Sequence, residues 1–86
     1  MSSITPVKGN IYAVVSGDHT GKNLVYINKT KESYNFLDLP DNKPMSLTID
    51  QFNTGITHQI LDLIETLPED ITQECVQQYE KNINNR

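Results

Sequence analysis

Asp18 and His19 stand side by side in the stretch Gly17-Asp18-His19-Thr20-Gly21-Lys22, where a carboxylate abuts an imidazole. A carboxylate that orients a histidine is half of a general-base arrangement, which also needs a nucleophile and a substrate within hydrogen-bond reach. The sequence specifies neither. The other histidine, His58, lies far along the chain, and no His-x-x-x-His or Glu-x-x-His spacing offers a metal site. The stretch is not a phosphate-cradling loop either. That loop needs four residues between its glycines and a serine or threonine after its lysine; here three residues intervene and Asn23 follows Lys22. Cys75 is the single cysteine, which excludes an intramolecular disulfide and a cysteine-built zinc site. On an apolar helical face it reads as a small hydrophobe. The chemistry left to Gly17, Asp18, His19, Thr20, Gly21 and Lys22 is that of a binding loop carried on a rigid hairpin.

Charge gives the second candidate. Residues 1–49 hold five lysines against four carboxylates, a balance of +1, whereas residues 50–86 hold Lys81 and Arg86 against seven carboxylates, a balance of −5. The acidic half presents Asp62, Glu65, Glu69 and Asp70 as an interaction face for a basic partner. Tyr12, Tyr26, Tyr34 and Phe36 offer aromatic rings, but no basic stripe surrounds them, so direct nucleic-acid binding is not expected. No cofactor or metal is expected. The first residues carry no apolar signal-peptide core, and no apolar run reaches the ~20 residues that span a bilayer. With the lone cysteine, this gives an expectation of a cytoplasmic protein with no membrane partner.

The elements that must position these residues follow from period and turn chemistry. At 86 residues the chain is expected to form one domain, residues 1–86, burying about 60% of its unfolded surface. Residues 1–9 read as an N-terminal arm, 10–49 as a β half and 50–86 as a helical half. Strands are expected over 10–16, 23–28, 33–39 and 45–49. The first strand is apolar on both faces, which favours a barrel over an open sheet. Pro40 and Pro44 bracket a breaker. Asp50 to Asn53 reads as one helical turn capped by Asp50 and ended by Gly55. Thr57 then caps an amphipathic helix with Ile56, Ile60, Ile64 and Leu67 on one stripe, ended by Pro68. A second helix starts near Glu69 or Asp70, with Ile71, Cys75, Val76, Tyr79 and Ile83 on its apolar face, so the two form a helical hairpin.

Val14-Val15-Ser16-Gly17-Asp18-His19-Thr20-Gly21-Lys22-Asn23-Leu24-Val25 resembles the KOW motif of SH3-like barrels, with Gly17 and Gly21 on its first two glycines and Leu24 where the family has a third. The resemblance implies a small barrel that binds RNA or a nucleic-acid-handling protein. Over more of the chain, Gly9-Asn10-Ile11-Tyr12-Ala13-Val14, Tyr34-Asn35-Phe36-Leu37, Leu39-Pro40, Ile49-Asp50-Gln51-Phe52, Gly55-Ile56 and Leu67-Pro68 are similar to small accessory proteins of T-even-type tailed phages. That resemblance implies host takeover or evasion of host defence by binding. The expected fold class is α+β: an antiparallel SH3-like barrel or curved sheet of four to five strands, followed by a C-terminal helical hairpin. The expected function is that of a non-enzymatic phage-type binding protein that modulates or inhibits a host protein in the host cytoplasm, with a nucleic-acid-handling or defence enzyme as the candidate target. The alternatives are a KOW-like RNA or ribonucleoprotein module and a nucleotide-sequestering oligomer.

Overall fold

A computed structural model describes residues 6–18, 20–39 and 41–84. Expectations for residues 1–5, His19, Pro40, Asn85 and Arg86 lie outside the described residues. The elements are β1 (Asn10–Val14), β2 (Asn23–Thr30), β3 (Ser33–Asp38), β4 (Lys43–Thr48), α1 (Ile49–Thr57), β5 (Leu61–Thr66) and α2 (Glu69–Asn84). The fold is α+β, with one five-stranded antiparallel sheet in the order β4-β3-β2-β1-β5. The first four strands fall where alternation and turn residues place them. The last residues of the expected arm are held against the sheet: Pro6 is buried, the Gly9 N–H donates to the Tyr26 carbonyl at 3.1 Å, and the Leu67 N–H donates to the Gly9 carbonyl at 2.9 Å.

The two apolar faces of β1 have a different cause from the one expected. One face packs Tyr12, Val14, Leu24, Tyr26, Tyr34, Phe36 and Leu61 against Phe52 of α1. The other packs Ile11, Val25, Ile27 and Leu37 against Cys75 and Tyr79 of α2. The sheet is therefore open and covered by a helix on each side, and no barrel closure is needed to bury both faces. On the α1 side the aromatic rings interlock: Phe52 meets Tyr12 edge-on at 5.2 Å and Tyr34 at 5.1 Å, and stacks on Phe36 at 6.0 Å. Such pairs add about 0.5–1.5 kcal/mol each beyond their burial.

The largest departure from expectation lies between residues 48 and 67. Thr48, not Asp50, caps α1: the Gln51 N–H donates to Thr48 Oγ1 and the Thr48 N–H to Gln51 Oε1, each at 3.0 Å. Gly55 does not end the helix. It lies inside it and is buried, and a Cβ there would come within 2.8 Å of Leu61 Cδ1. The helix stops at His58 through a Schellman arrangement, with the Gln59 N–H on the Ile56 carbonyl at 3.2 Å and the Ile60 N–H on the Gly55 carbonyl at 2.7 Å. Gln59 takes the left-handed position, φ 59°, where glycine is usual. The expected amphipathic helix through Ile60, Ile64 and Leu67 is thus absent. Leu61–Thr66 is a strand paired antiparallel to β1, the helical hairpin does not form, and the second half is not wholly helical. The 3.6-residue stripe and this strand draw on the same leucines and isoleucines; the outer edge of β1 decides between them by offering a ladder of backbone partners.

α2 begins at Glu69, as its carboxylates indicate. Cys75 and Tyr79 are buried on its inner side, with Val76 and Ile83 half-buried beside them. Ile71, expected on that side, is 39% exposed. Thr72 is buried instead, its hydroxyl donating to the Pro68 carbonyl at 2.9 Å. Among the described residues no helix is long and apolar enough to cross a membrane.

Candidate functional site

The loop singled out by its glycines closes the β1–β2 hairpin. Gly17 and Gly21 both adopt positive φ, 90° and 94°, with open space around them. The Thr20 hydroxyl donates to the Gly17 carbonyl at 2.7 Å, and the Gly21 N–H to the Val14 carbonyl at 2.9 Å. Asp18 is exposed, and His19 lies outside the described residues. Lys22 turns away from the loop. Its ammonium donates to Asp38 Oδ2 at 2.7 Å and lies 3.5 Å from Asp41 Oδ2. The hydrogen bond to Asp38, more than any other influence, raises the Lys22 pKa. Asp38 is itself buried, and its Oδ1 has no partner among the described residues. Lys22 is thus occupied in holding the start of β2 to the end of β3.

Two hollows flank the β5 end of the α1 face. The first, about 370 Å³, lies between the hairpin loop and α1. Leu24, Met45, Leu47 and Leu61 make its apolar walls, and Ser16, Gly17, Asp18, Asp50, Gln51 and Thr54 contribute its polar groups. Sequence reasoning had given Asp50 only a capping role and missed Gln51 and Thr54, because the length of α1 was not visible. The second hollow, about 490 Å³, lies beside β5 and is lined by Tyr12, Val15, Ile56, Gln59, Leu61, Asp62 and Leu63. Val15 and Leu63 are half-exposed there.

The four candidate carboxylates fall on two elements. Asp62 and Glu65 are on β5, and Glu69 and Asp70 are in the first turn of α2; all four are exposed. A bulge brings the first two to one side. Ala13 pairs with Asp62, Tyr12 with Leu63 and Ile11 with Glu65, so Ile64 is the extra residue. Ile11 belongs to the α2-facing core, and Ala13 alternates with Tyr12, so both carboxylates project on the α2 side of the sheet. The ion pairs among the described residues are those of Lys22 with Asp38 and Asp41, and neither draws on these four groups.

Tyr12, Tyr26, Tyr34 and Phe36, the rings that could have stacked on bases, are between 0% and 8% exposed and form the core. Cys75 is buried, and burial raises the pKa of its thiol, with Glu74 adding to the shift. Among the described residues no three His, Cys, Asp or Glu side chains gather to hold a metal ion. No protein-family model matches the chain, and neither a curated protein nor a solved structure matches it.

Proposed function

We propose that this chain is a non-enzymatic binding protein of phage type, acting in the host cytoplasm, that modulates a host protein through its acidic stretch. The observation that carries the reading is the set of four exposed carboxylates between positions 62 and 70, none in an ion pair among the described residues. Such a surface steers and holds a basic partner of the kind that nucleic-acid-handling enzymes present. Two observations weigh against the rival readings. The buried rings are withheld from base stacking and Lys22 is held by two aspartates, which disfavours an RNA-binding loop. The hollow beside that loop has Asp18 and Asp50 among its lining groups, and their charge repels a nucleotide's phosphates.

The test is capture of partners from host lysate by the full chain, followed by affinity measurement on the captured protein. Neutralising all four groups together (Asp62→Asn, Glu65→Gln, Glu69→Gln, Asp70→Asn) is expected to weaken binding about tenfold and to flatten its salt dependence. Unchanged affinity and an unchanged salt slope would refute the acidic-face reading.

A further inference from the structure

β5 ends the sheet, and among the described residues no strand pairs with its outer side. The direction of its backbone groups follows from its neighbours. The Ile60 carbonyl accepts from the Val15 N–H at 2.8 Å and therefore points inward. By strand alternation Asp62 also turns its backbone toward β1, and Leu61 and Leu63 turn theirs outward. The outer edge thus offers free donors and acceptors beside half-exposed Leu63 and Ile64, with no proline and no lysine in the strand.

We infer that the β5 edge is a strand-addition site for an extended segment of a partner protein in which lysine or arginine alternates with apolar residues. This rests on the reading of the acidic stretch as the binding surface and names how that surface is engaged. On the α1 side of an added strand lies the second hollow, which is partly polar: Val15, Ile56 and Leu63 share its walls with Gln59. On the α2 side stand Asp62 and Glu65. Because Ile64 is bulged, these two carboxylates occupy successive positions of one face, about 7 Å apart at ~3.3 Å per residue. A partner strand with cations at alternate positions matches that spacing, and its intervening apolar side chains meet Leu63, Val15 and Ile56 in that hollow. Main-chain hydrogen bonds supply affinity, and the two rows of side chains supply selectivity. A second copy of this chain is a poor occupant: antiparallel pairing of β5 with itself sets the same acidic face against its twin, and like charges across a ladder destabilise it.

The full chain is titrated at low salt with three synthetic nonapeptides. One alternates lysine and valine, one carries the same residues with every second backbone nitrogen methylated, and one alternates lysine and serine. The lysine–valine peptide is expected to bind, and the other two about tenfold more weakly or worse, since one loses main-chain pairing and the other the apolar row. Reversing Asp62→Lys and Glu65→Lys together is expected to weaken the lysine–valine peptide by a further tenfold or more. Equal binding of all three peptides, lost on charge reversal, overturns strand addition and leaves the acidic surface standing. Absence of lysine–valine binding also overturns strand addition. Binding untouched by charge reversal overturns the charge complementarity on which both readings rest.

Discussion

β4 ends the sheet with Lys43 and with Pro44, which has no N–H to offer a passing strand, and α1 follows it directly and packs on its inner residues. Met45 and Leu47 are half-buried under that helix. β5 ends the other side with one buried residue, Leu61, and five exposed ones, among them Leu63 and Ile64 at 50% and 51% exposure. Its protection is a bulge and two carboxylates. Pro44 withholds a donor from any strand added there, whereas carboxylates turn away acidic and self strands and admit basic ones. One edge is the more closed and the other is selective, and this difference is the ground on which strand addition is proposed at β5.

The largest break in this comparison comes from α1, which supports the closed edge. Phe52 is fully buried against Tyr12, Tyr34 and Phe36, so Phe52→Ala is expected to cost about 3–5 kcal/mol in urea denaturation. A loss below ~1 kcal/mol would mean that α1 does not anchor that side of the sheet. Next comes Gln59, the residue that stops α1 and frees Leu61–Thr66 to pair as a strand. Gln59→Gly is expected to stabilise the fold by about 1 kcal/mol, because glycine carries no steric penalty at positive φ. Destabilisation would indicate that the chain does not turn left-handed there. A smaller stability effect, within ~0.5 kcal/mol, is expected from Leu63→Lys, which lies at an exposed position yet should abolish binding of the lysine–valine peptide. If that variant unfolds, β5 is not an exposed edge.

Raising the pH offers a check that does not involve β5. Burial raises the Tyr26 pKa, with Tyr34 and Tyr12 adding to it; burial also raises Cys75, and the hydrogen bond to Asp38 raises Lys22. Each group holds its proton more tightly in the folded chain than in the unfolded one. The stability they contribute is complete below the unfolded values of 9.0 for Cys75, 10.0 for Tyr26 and 10.5 for Lys22, and is lost as pH rises through the folded ones. Denaturation midpoints should therefore fall progressively above pH 9; midpoints that rise there would contradict the burial of Tyr26 and Cys75 and the hydrogen bond of Lys22 to Asp38.

The four strands before residue 49 were legible because their alternation and turns agree. Gly17 and Gly21 mark the hairpin, and Met45 and Leu47 mark β4, although Ile49, expected to end that strand, begins α1. The segment after residue 57 was not, for reasons tied to single residues. The stop of α1 relies on Gln59 where a glycine would have announced it. The bulge at Ile64 hides the period-2 pattern, so that Ile56, Ile60, Ile64 and Leu67 fit a helix equally well. The four acidic residues were identified from charge alone, but the fact that Asp62 and Glu65 share one side of a strand depends on long-range pairing with β1. The second helix was legible from Pro68, Glu69 and Asp70; its inner face was misread only at Ile71, which gives way to Thr72.

Amide hydrogen exchange read residue by residue, with and without the lysine–valine nonapeptide, tests the β5 edge most directly. Slowing of exchange by tenfold or more at the outward-facing N–H of Leu63, with Met45 to Thr48 on β4 unchanged, is the expected result. Protection that falls on β4, or charge-dependent binding that leaves the Leu63 N–H exchanging as before, would contradict it.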